Sequence, residues 1–402
     1  MIQIGIIREE KLPVDHRVPL TPEQAAQIDK DFPGVKIKVE SSIARCYPDE
    51  DYRKRGIEIV SSVIDCDILM GVKEVPISSL IGDKTYLFFS HTIKKQAYNR
   101  NLLCAVLEKN IRLIDYEALI NKQGHRVVAF GRWAGIVGAY NAIWTYGERY
   151  RLFSIKRVHD CFDFEDLKNE FPKVKLPSIK IVVTGGGRVS KGAMEVLLAM
   201  NIKMVSPAAF IERIFDVPVF CQLNSRDYCK HKSGESFVRS SFYASPENYE
   251  GDFLKYAKVA DVLIAGAYWD PKAPVLFERE DILKNNFKIR IIADITCDIK
   301  GSIPSTLRSS TIDEPIYDYN PSEDVAELPL TDEGNITVMA IDNLPCELAR
   351  DASESFGKEL SSNVLPYLLG NDTFGIISKA TVAEKGRLSD KYSYLKDYVE
   401  GK

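Results

Sequence analysis

The chain has 402 residues, more than the roughly 250–300 at which a single hydrophobic core stops growing, so two domains are expected. Its apolar fraction of 45% and charged fraction of 27% are ordinary for soluble globular proteins. The net charge of −4, without any basic block, excludes the electrostatic signature of a nucleic-acid-binding protein and favours small-molecule partners.

The sequence predicts a cytoplasmic protein. Its first residues, MIQIGIIREEKL, lack the pattern of a signal peptide, and no apolar stretch approaches the roughly 18 residues of a membrane span. Eight cysteines scattered through the chain are typical of reduced, buried thiols. Cys221, Cys229 and His231 form the one cluster that suggests a metal. They lack CxxC spacing and a fourth ligand, so no metal site is predicted.

The first third of the chain alternates strand-like and helix-like segments. Isoleucines at every second position from Ile2 to Ile6 indicate a strand. A helix start follows, with Thr21 as the cap, Pro22 in the first turn and Gln24 three residues after the cap. Further elements are predicted as strands at residues 68–72, 86–89 and 111–114 and a helix at 101–109. Such alternation predicts a parallel α/β sheet.

A second series of strands begins near Ile179. The segment IKIVVTGGG is a strand that runs into glycines, GAMEVLLAM is a short helix, and IKMVS is a second strand. Beyond a polar, tyrosine-rich stretch at about 222–250, strands are predicted in VADVLIAGAYW, KIRIIADITCD and TVMAI. Between the two series, WAGIVGAYNAIWTYG indicates a closely packed helix where two domains meet. From Leu344 on, helical periodicity predicts a segment that packs back onto the first domain.

The glycine turn in IVVTGGGRVSKG (residues 181–192) is a candidate dinucleotide site. Glycines let the backbone approach a pyrophosphate, whose charge is stabilised by the N-terminus of the following helix. Ser190 stands where the third glycine of GxGxxG is expected, and Gly192 comes two residues later. The apolar strand before the turn and the apolar helix after it favour cofactor binding over a simple tight turn. The candidate cofactor-binding residues of this turn are Gly185, Gly187, Arg188 and Val189.

The end of the second strand, Val205-Ser206-Pro207, bears on the choice between NAD and NADP. An acid that would bind the adenosine ribose 2′-hydroxyl of NAD is absent there. Ser206 is a candidate to accept a 2′-phosphate, with Arg213 as a weaker candidate for a partner. The sequence therefore favours NADP(H) slightly over NAD(H).

Three strands of the first domain each end at an ionisable residue: Lys73 with Glu74, then His91, then Glu117. Because the carboxyl ends of parallel strands lie on one edge of a sheet, these side chains are expected to converge there. Arg17, after the first strand, and Arg126, in GHRVVAFG, are expected near the same edge.

Such a set of residues supports a specific chemistry. Arginines bind carboxylates bidentately. A lysine and a histidine, one with its pKa lowered by a neighbouring cation and by desolvation, form an acid–base pair near neutral pH. With a nicotinamide cofactor, the set predicts hydride transfer to a carbon that bears oxygen or nitrogen, on a substrate rich in carboxylates.

Nine segments between residue 4 and about residue 368 form a recognisable set: RVPLTPEQ, GVKEVP, KTYLFFSHTIKKQ, IRLIDYEALI, RVVAFGRWAGIVGAYNAI, VTGGGRVSKGA, LIAGAYWDPKAPVL, IIADITCDIKGSI and AIDNLPCELARDASESFGKEL. Together they resemble a saccharopine dehydrogenase of the lysine-forming type, and in particular the lysine–2-oxoglutarate reductase half of the bifunctional lysine-degrading enzyme. Alanine dehydrogenase is a more distant relative. SHTIKKQ and RVVAFGRWAG are the most specific of them, and the resemblance is weak across 150–178 and 207–250.

The resemblance implies an α/β fold of two Rossmann-like parallel-sheet domains with an active-site cleft between them. Residues 1–134 and about 345–402 would form the substrate and catalytic domain. Residues from about 135 to 344 would form the dinucleotide-binding Rossmann domain.

The resemblance also implies roles for individual residues. The family's acid–base lysine and histidine fall on Lys73 and His91, and the glutamate that modulates this pair falls on Glu117. Its substrate-binding arginines fall on Arg17 and Arg126.

Two further acids match residues of particular branches of the family. Glu74 matches a glutamate of the fungal form that lies next to the catalytic lysine. Asp298, in ADITCD, matches an aspartate near the cofactor ribose in alanine dehydrogenases. Two departures concern the cofactor: Ser190 replaces the fungal third glycine, as in the animal reductase, and Ser206 stands where an acid would select NAD.

The implied activity is the reductive condensation of L-lysine with 2-oxoglutarate to saccharopine, or its reverse, with NAD(P)H. The expected partners are these small molecules, with no nucleic acid and no membrane, and no oligomeric state is predicted. One alternative is alanine dehydrogenase, which uses pyruvate and ammonia, or another opine-type amino-acid dehydrogenase. A non-catalytic dinucleotide-binding protein is a third interpretation, although such a protein should have lost some of the five site residues named above.

Overall fold

The computed structural model describes residues 1–402. Its strands are β1 (Ile2–Ile6), β2 (Val35–Glu40), β3 (Glu58–Val60), β4 (Ile68–Met70), β5 (Thr85–Phe88), β6 (Arg112–Asp115), β7 (Lys180–Thr184), β8 (Lys203–Met204), β9 (Val219–Leu223), β10 (Cys229–His231), β11 (Tyr249–Gly251), β12 (Val262–Ala265), β13 (Ile291–Asp294), β14 (Ile316–Asn320), β15 (Val325–Glu327), β16 (Ile336–Met339), β17 (Thr381–Glu384) and β18 (Arg387–Leu388). Its helices are α1 (Pro22–Asp31), α2 (Asp49–Lys54), α3 (Arg100–Glu108), α4 (Gly131–Tyr150), α5 (Phe164–Lys168), α6 (Arg188–Ala199), α7 (Pro207–Glu212), α8 (Ser225–Tyr228), α9 (Arg239–Ala244), α10 (Leu254–Ala257), α11 (Arg279–Ile282), α12 (Ala349–Asn363), α13 (Leu365–Leu369), α14 (Ile376–Ala380) and α15 (Lys396–Glu400).

The chain divides into two compact units. The first consists of residues 1–130 and 349–402, and the second of residues 131–348. Each unit has its own eight-stranded sheet, and most strand pairs in both sheets are parallel. The predicted α/β class with two Rossmann-like sheets is confirmed. No helix combines the length and the apolar character needed to cross a membrane.

The sheet of the first unit has the order β18-β17-β6-β5-β4-β1-β2-β3. The six strands from β6 to β3 are parallel, and β17 and β18 run antiparallel at one edge. Ile4 and Ile6 of β1 are fully buried at its centre, as their alternation predicts. Thr21 and Gln24 form the predicted capping box at the start of α1. Phe356 of α12 is buried in this unit's core.

The sheet of the second unit has the order β15-β14-β16-β13-β12-β7-β9-β8. The predicted second strand, IKMVS, forms β8, but β8 lies at the edge of the sheet, because β9 pairs with all five residues of β7 and separates the two strands. β9, with the sequence VFCQL, is longer and almost wholly buried, whereas β8 has two exposed residues. The longer apolar strand, β9, forms more hydrogen bonds and buries more side chains, and so it lies directly beside β7. The tyrosine-rich stretch after it forms α8, α9 and the β10–β11 hairpin.

The closely packed helix predicted in WAGIVGAYNAIWTYG is α4, which belongs to the second unit and crosses α6 within it. Two glycines make this approach possible. A Cβ on Gly135 would lie 1.9 Å from the carbonyl oxygen of Val189, and a Cβ on Gly192 would lie 2.0 Å from the carbonyl oxygen of Arg132. Gly192, two residues past the expected third glycine of the motif, therefore serves close packing between two helices.

Replacing Gly192 by alanine should destabilise the second unit. Alanine favours a helix by up to about 1 kcal/mol over glycine, but overpacking against a backbone oxygen costs about 1–3 kcal/mol or more. We expect a lower midpoint of urea unfolding, followed by circular dichroism. The control Lys191→Ala changes the neighbouring exposed position and should shift the free energy of unfolding by less than about 0.5 kcal/mol. Equal stability of the Gly192→Ala variant and the wild type would contradict this account of the helix crossing.

Candidate active site

The predicted convergence of strand ends in the first unit follows from its sheet order. β1, β4, β5 and β6 are neighbouring parallel strands, so the residues after them leave the sheet at one edge. Lys73 and Glu74 follow β4, His91 follows β5, and Glu117 follows β6. We call Lys73, Glu74 and His91 the strand-end cluster.

The carboxylate of Glu74 is the centre of the strand-end cluster. One oxygen contacts Nδ1 of His91 at 2.6 Å and accepts from the amide of Asn99 at 3.1 Å. The other oxygen accepts from Nζ of Lys11 at 2.6 Å. Burial opposes ionisation of Glu74, but these donors outweigh it and hold its pKa well below the usual value. Glu74 is therefore a carboxylate, and Nδ1 of His91 is the nitrogen that donates to it, which leaves Nε2 for proton exchange.

His91 is held in an uncommon backbone conformation. Its φ is +49°, in the left-handed region that few residues other than glycine adopt. The preceding residue, Ser90, is anchored because its backbone N–H and its hydroxyl both donate to the carboxylate of Asp115. The ring of His91 lies parallel to that of Phe89, with the ring centres 6.3 Å apart. These contacts fix the imidazole at the end of β5.

Lys73 is positioned through its backbone by a residue that the sequence analysis missed. Both oxygens of Glu9 accept backbone hydrogen bonds, from Val72 at 2.6 Å and from Lys73 at 2.9 Å. Glu9 follows β1, which lies next to β4 in the sheet. The side chain of Lys73 is half-buried. The signal that pointed to the other site residues, an acid after a predicted strand, was also present at Glu9.

Arg17 is buried and paired with an acid of its own loop. Its guanidinium donates to both oxygens of Asp15, at 2.9 and 2.6 Å, and lies 4.1 Å from the centre of the Phe130 ring. Only 3% of Arg17 is exposed, so its charge is largely neutralised by Asp15 before any substrate binds. The sequence analysis missed Asp15.

Glu117 contacts two cations. Its carboxylate accepts from Arg126 and from Nζ of Lys94, the latter at 2.9 Å. Burial raises its pKa, but Arg126 and Lys94 outweigh burial and lower it below the usual value. The side chains of Arg126 and Lys94 are 43% and 59% exposed. The group carries one net positive charge close to solvent, which suits a substrate carboxylate.

Three further residues of the site were not singled out from the sequence: Lys11, Lys94 and Asn99. All three lie outside the predicted strands and helices, although Lys94 belongs to the quoted segment SHTIKKQ. Each reaches the site only because a loop returns to a carboxylate at the sheet edge.

The glycine turn of the second unit has the predicted strand–turn–helix form. Gly185 follows β7 with φ of +97°, and a Cβ there would lie 2.6 Å from Oγ of Ser190 and 3.0 Å from the oxygen of Gly266. Ser190 is buried and donates to the carbonyl oxygen of Thr184 at 2.8 Å. The serine therefore closes the turn where the motif has its third glycine.

The start of α6 fits a pyrophosphate. Gly187 is the N-cap residue of α6 and has no side chain to accept hydrogen bonds from the first backbone amides. The space where its Cβ would stand is open. Arg188 and Val189 are the first residues of a twelve-residue helix whose N-terminal amides and dipole favour an anion. The residues present thus fit the phosphates of a dinucleotide.

The other two cofactor candidates, Asp298 and Ser206, lie in different loops of the second unit. Asp298 is exposed in the loop after β13, at the same edge of the sheet as the glycine turn, and its carbonyl oxygen accepts from the N–H of Gly301 at 2.9 Å. Ser206 caps α7, where its hydroxyl accepts from the N–H of Ala209 at 3.3 Å. Because β9 separates β8 from β7, Ser206 does not follow the strand beside the glycine turn.

Glu9 should make the stability of the protein depend on pH. Burial, and after it the charge of Asp15, raise the pKa of Glu9 from 4.5 to about 8. Between these values the folded state holds a proton that the unfolded state has lost, so the free energy of unfolding falls as pH rises through that window. Glu9→Gln removes this term, and the decline from about pH 5 to about pH 8 should become shallower in urea titrations.

The neighbouring acid provides the control. The pKa of Glu10 is lowered by its hydrogen bond from Ser79, against the effect of burial, so Glu10 is ionised in both states across the same window. Glu10→Gln should keep the wild-type slope. The same slope in Glu9→Gln as in the wild type would refute the assignment.

Comparisons with known proteins agree with this geometry. The family described as alanine dehydrogenase/PNT, N-terminal domain, matches residues 5–137. An L-alanine dehydrogenase structure superposes with a TM-score of 0.67 at 16% identity, covering 100% of this chain and 99% of that one. A transhydrogenase from Sinorhizobium meliloti superposes with a TM-score of 0.56 at 15% identity, covering 96% and 98%. These structures share the fold.

Curated relatives match nearly the whole chain. The α-aminoadipic semialdehyde synthase of Arabidopsis thaliana is 29% identical over 438 residues, and the mitochondrial one of Mus musculus is 30% identical over 449 residues. These alignments cover 98% and 99% of this chain but 41% and 48% of the relatives, so the chain spans about half of their length or less. A saccharopine dehydrogenase (NAD+, L-lysine-forming) of Neurospora crassa is 26% identical over 382 residues, which is 90% of each chain. Over nearly its whole length the chain is therefore similar to α-aminoadipic semialdehyde synthases and to lysine-forming saccharopine dehydrogenases, and it has the alanine dehydrogenase fold.

Proposed function

We propose that the chain is an oxidoreductase that condenses L-lysine with 2-oxoglutarate and reduces the product to saccharopine, or catalyses the reverse, with NAD(P)H. The observation that carries the proposal is the contact between the Glu74 carboxylate and Nδ1 of His91, at 2.6 Å. Lys73 directly precedes Glu74 in the chain. A histidine oriented by a carboxylate beside a lysine is an acid–base arrangement. Similarity to α-aminoadipic semialdehyde synthases and lysine-forming saccharopine dehydrogenases supports the choice of substrates.

Substrate carboxylates are bound by cations in this proposal. Saccharopine carries three carboxylates, so its site needs several donors. Arg126 and Lys94 present exposed charge around Glu117 and would bind one carboxylate bidentately or as a pair. Arg17, whose guanidinium Asp15 holds rigid, is proposed to bind a second substrate carboxylate, as the family resemblance implies. A rigid arginine loses little entropy when it binds.

Proton transfer is the task of the strand-end cluster. Lysine's ε-ammonium must lose a proton before it attacks the keto carbon, and the carbonyl oxygen must gain protons to leave as water. Nε2 of His91 can accept and return a proton, because Glu74 orients the imidazole through Nδ1. Lys73, whose backbone is fixed by Glu9, would carry the second proton.

The cofactor supplies the hydride that reduces the imine. Gly185, Gly187, Arg188, Val189 and Asp298 are the residues proposed to hold it. The amides at the start of α6 bind the phosphates, and the open space at Gly187 lets them approach the backbone.

The substrates can be tested directly. We expect oxidation of NADH or NADPH, followed by absorbance, with L-lysine plus 2-oxoglutarate and little with pyruvate plus ammonia. Turnover with pyruvate and ammonia alone would assign alanine dehydrogenase activity instead. Turnover with 2-oxoglutarate and a different amino acid would assign another opine-type dehydrogenase. Cofactor binding without turnover on any amine and keto acid would assign a binding protein.

The acid–base roles can be tested by substitution. Lys73→Met and His91→Gln should each lower kcat by about 10²–10⁴, the usual contribution of a positioned acid–base group. The controls Lys30→Met, on the exposed side of α1, and His231→Gln, in the second unit, make the same chemical changes elsewhere and should leave kcat within about twofold. Rates near the wild type in both site variants would refute the assignment.

A further inference from the structure

The segment after β9 lies against the glycine turn. Thr184 and Leu223, the last residues of β7 and β9, are paired in register, and the N–H of Gly185 donates to the oxygen of Leu223 at 2.8 Å. The amide of Gln222 donates to the oxygen of Gly185 at 2.6 Å. The side-chain oxygen of Asn224 lies 2.6 Å from where a Cβ of Gly186 would stand. Residues 224–226 therefore occupy the position that reads the adenosine ribose in a dinucleotide fold.

The chemistry of this segment favours a phosphate over a hydroxyl group. An NAD-specific site has an acid here, whereas an arginine accommodates a 2′-phosphate. The acid that follows Arg226 in the chain, Asp227, accepts the backbone N–H of Asn224 at 2.7 Å in the capping box of α8, so its carboxylate is directed to its own turn. Arg226 is 71% exposed, and its contact with Asp227 is loose, at 3.9 Å. An exposed guanidinium with free reach suits a phosphate.

A cavity beside this segment is suited to a purine base. It has a volume of about 270 Å³ and lies at the C-terminal edge of the second sheet, where Thr184 of β7 and Ser225 both border it. The rings of Tyr243, Tyr268 and Trp269 also line it. Flat aromatic rings stack on bases of any identity. Ser225 immediately precedes Arg226, so a base in the cavity would place its ribose near the guanidinium.

We propose that Arg226 binds the 2′-phosphate of NADP(H), with the adenine in the aromatic cavity, and that it makes the chain prefer NADP(H) to NAD(H). The inference rests on the proposed nicotinamide cofactor and adds the residue that selects its type. It also replaces Ser206, which caps α7 two strand positions away from β7.

Two other arginines define the alternatives. Arg213 follows α7, and its carbonyl oxygen accepts from Nζ of Lys180, the first residue of β7, at 2.7 Å. Its backbone therefore lies at the edge of the sheet opposite the glycine turn, which makes it a matched control. Arg239 lies over the ring of Tyr243, with its guanidinium carbon 5.5 Å from the ring centre, and is the rival cation near the cavity.

The test measures binding without turnover. Affinities for NADPH, NADH and 2′,5′-ADP are measured by isothermal titration calorimetry on the full chain, with NADH as the internal reference for dinucleotide binding. We expect the wild type to bind NADPH more tightly than NADH. Arg226→Gln should weaken NADPH and 2′,5′-ADP by about ten- to hundredfold, the usual effect of losing hydrogen bonds between charged groups, and leave NADH within about twofold. Arg226→Lys should fall between, and Arg213→Gln should match the wild type.

Several outcomes separate this inference from the proposed function. Equal affinity for the two dinucleotides, unchanged in Arg226→Gln, would overturn the role of Arg226 and leave the proposed function standing. An equal loss of NADH affinity in Arg226→Gln would show that the residue supports the turn only, and loss of NADPH in Arg239→Gln alone would assign the phosphate to Arg239. Either result overturns the inference. Failure of the wild type to bind any dinucleotide would overturn the proposed function as well.

Discussion

Parallel pairing of neighbouring strands is the constraint on which both sites depend. Parallel strands spaced about 4.8 Å apart deliver their C-terminal ends to one edge of the sheet, whatever their separation in sequence. In the first unit this brings together Glu9, Glu74, His91 and Asp115 from four strands. In the second unit the same constraint places the segment after β9 beside the glycine turn.

The buried carboxylates at the C-terminal edge of the first unit's sheet have hydrogen-bond donors around them. A buried carboxylate without partners is very unfavourable, and here each one is surrounded by donors. Glu74 accepts from His91, Asn99 and Lys11, and this keeps it ionised and sets which nitrogen of His91 carries the proton. Glu9 is the exception, because burial, and after it the negative Asp15, raise its pKa more than its two backbone donors lower it.

The two arginines proposed for substrate binding have different electrostatic surroundings. Asp15 neutralises Arg17 inside the protein, where stacking on Phe130 also orients the guanidinium. Arg126 shares Glu117 with Lys94, so a positive charge remains near solvent. The candidate site thus combines a rigid, neutral pair with an open, cationic group, and the proposed dicarboxylate substrate would contact both.

Much of this protein is determined by local sequence. Apolar runs that end at Lys73, His91 and Glu117 allowed three strand ends to be predicted, because the spacing of apolar side chains can be read from the local sequence. The capping box at Thr21 and the glycine turn at Gly185 are equally local. The contacts of Lys11, Lys94 and Asn99 were not predicted, since residues outside the periodic strands and helices reach their partners only in the folded chain. Only the tertiary structure shows that β9, and not β8, lies beside β7. The strand VFCQL takes this position because it is longer and more buried than β8 and pairs with all five residues of β7. That outcome moved the proposed cofactor-selecting residue from Ser206 to Arg226.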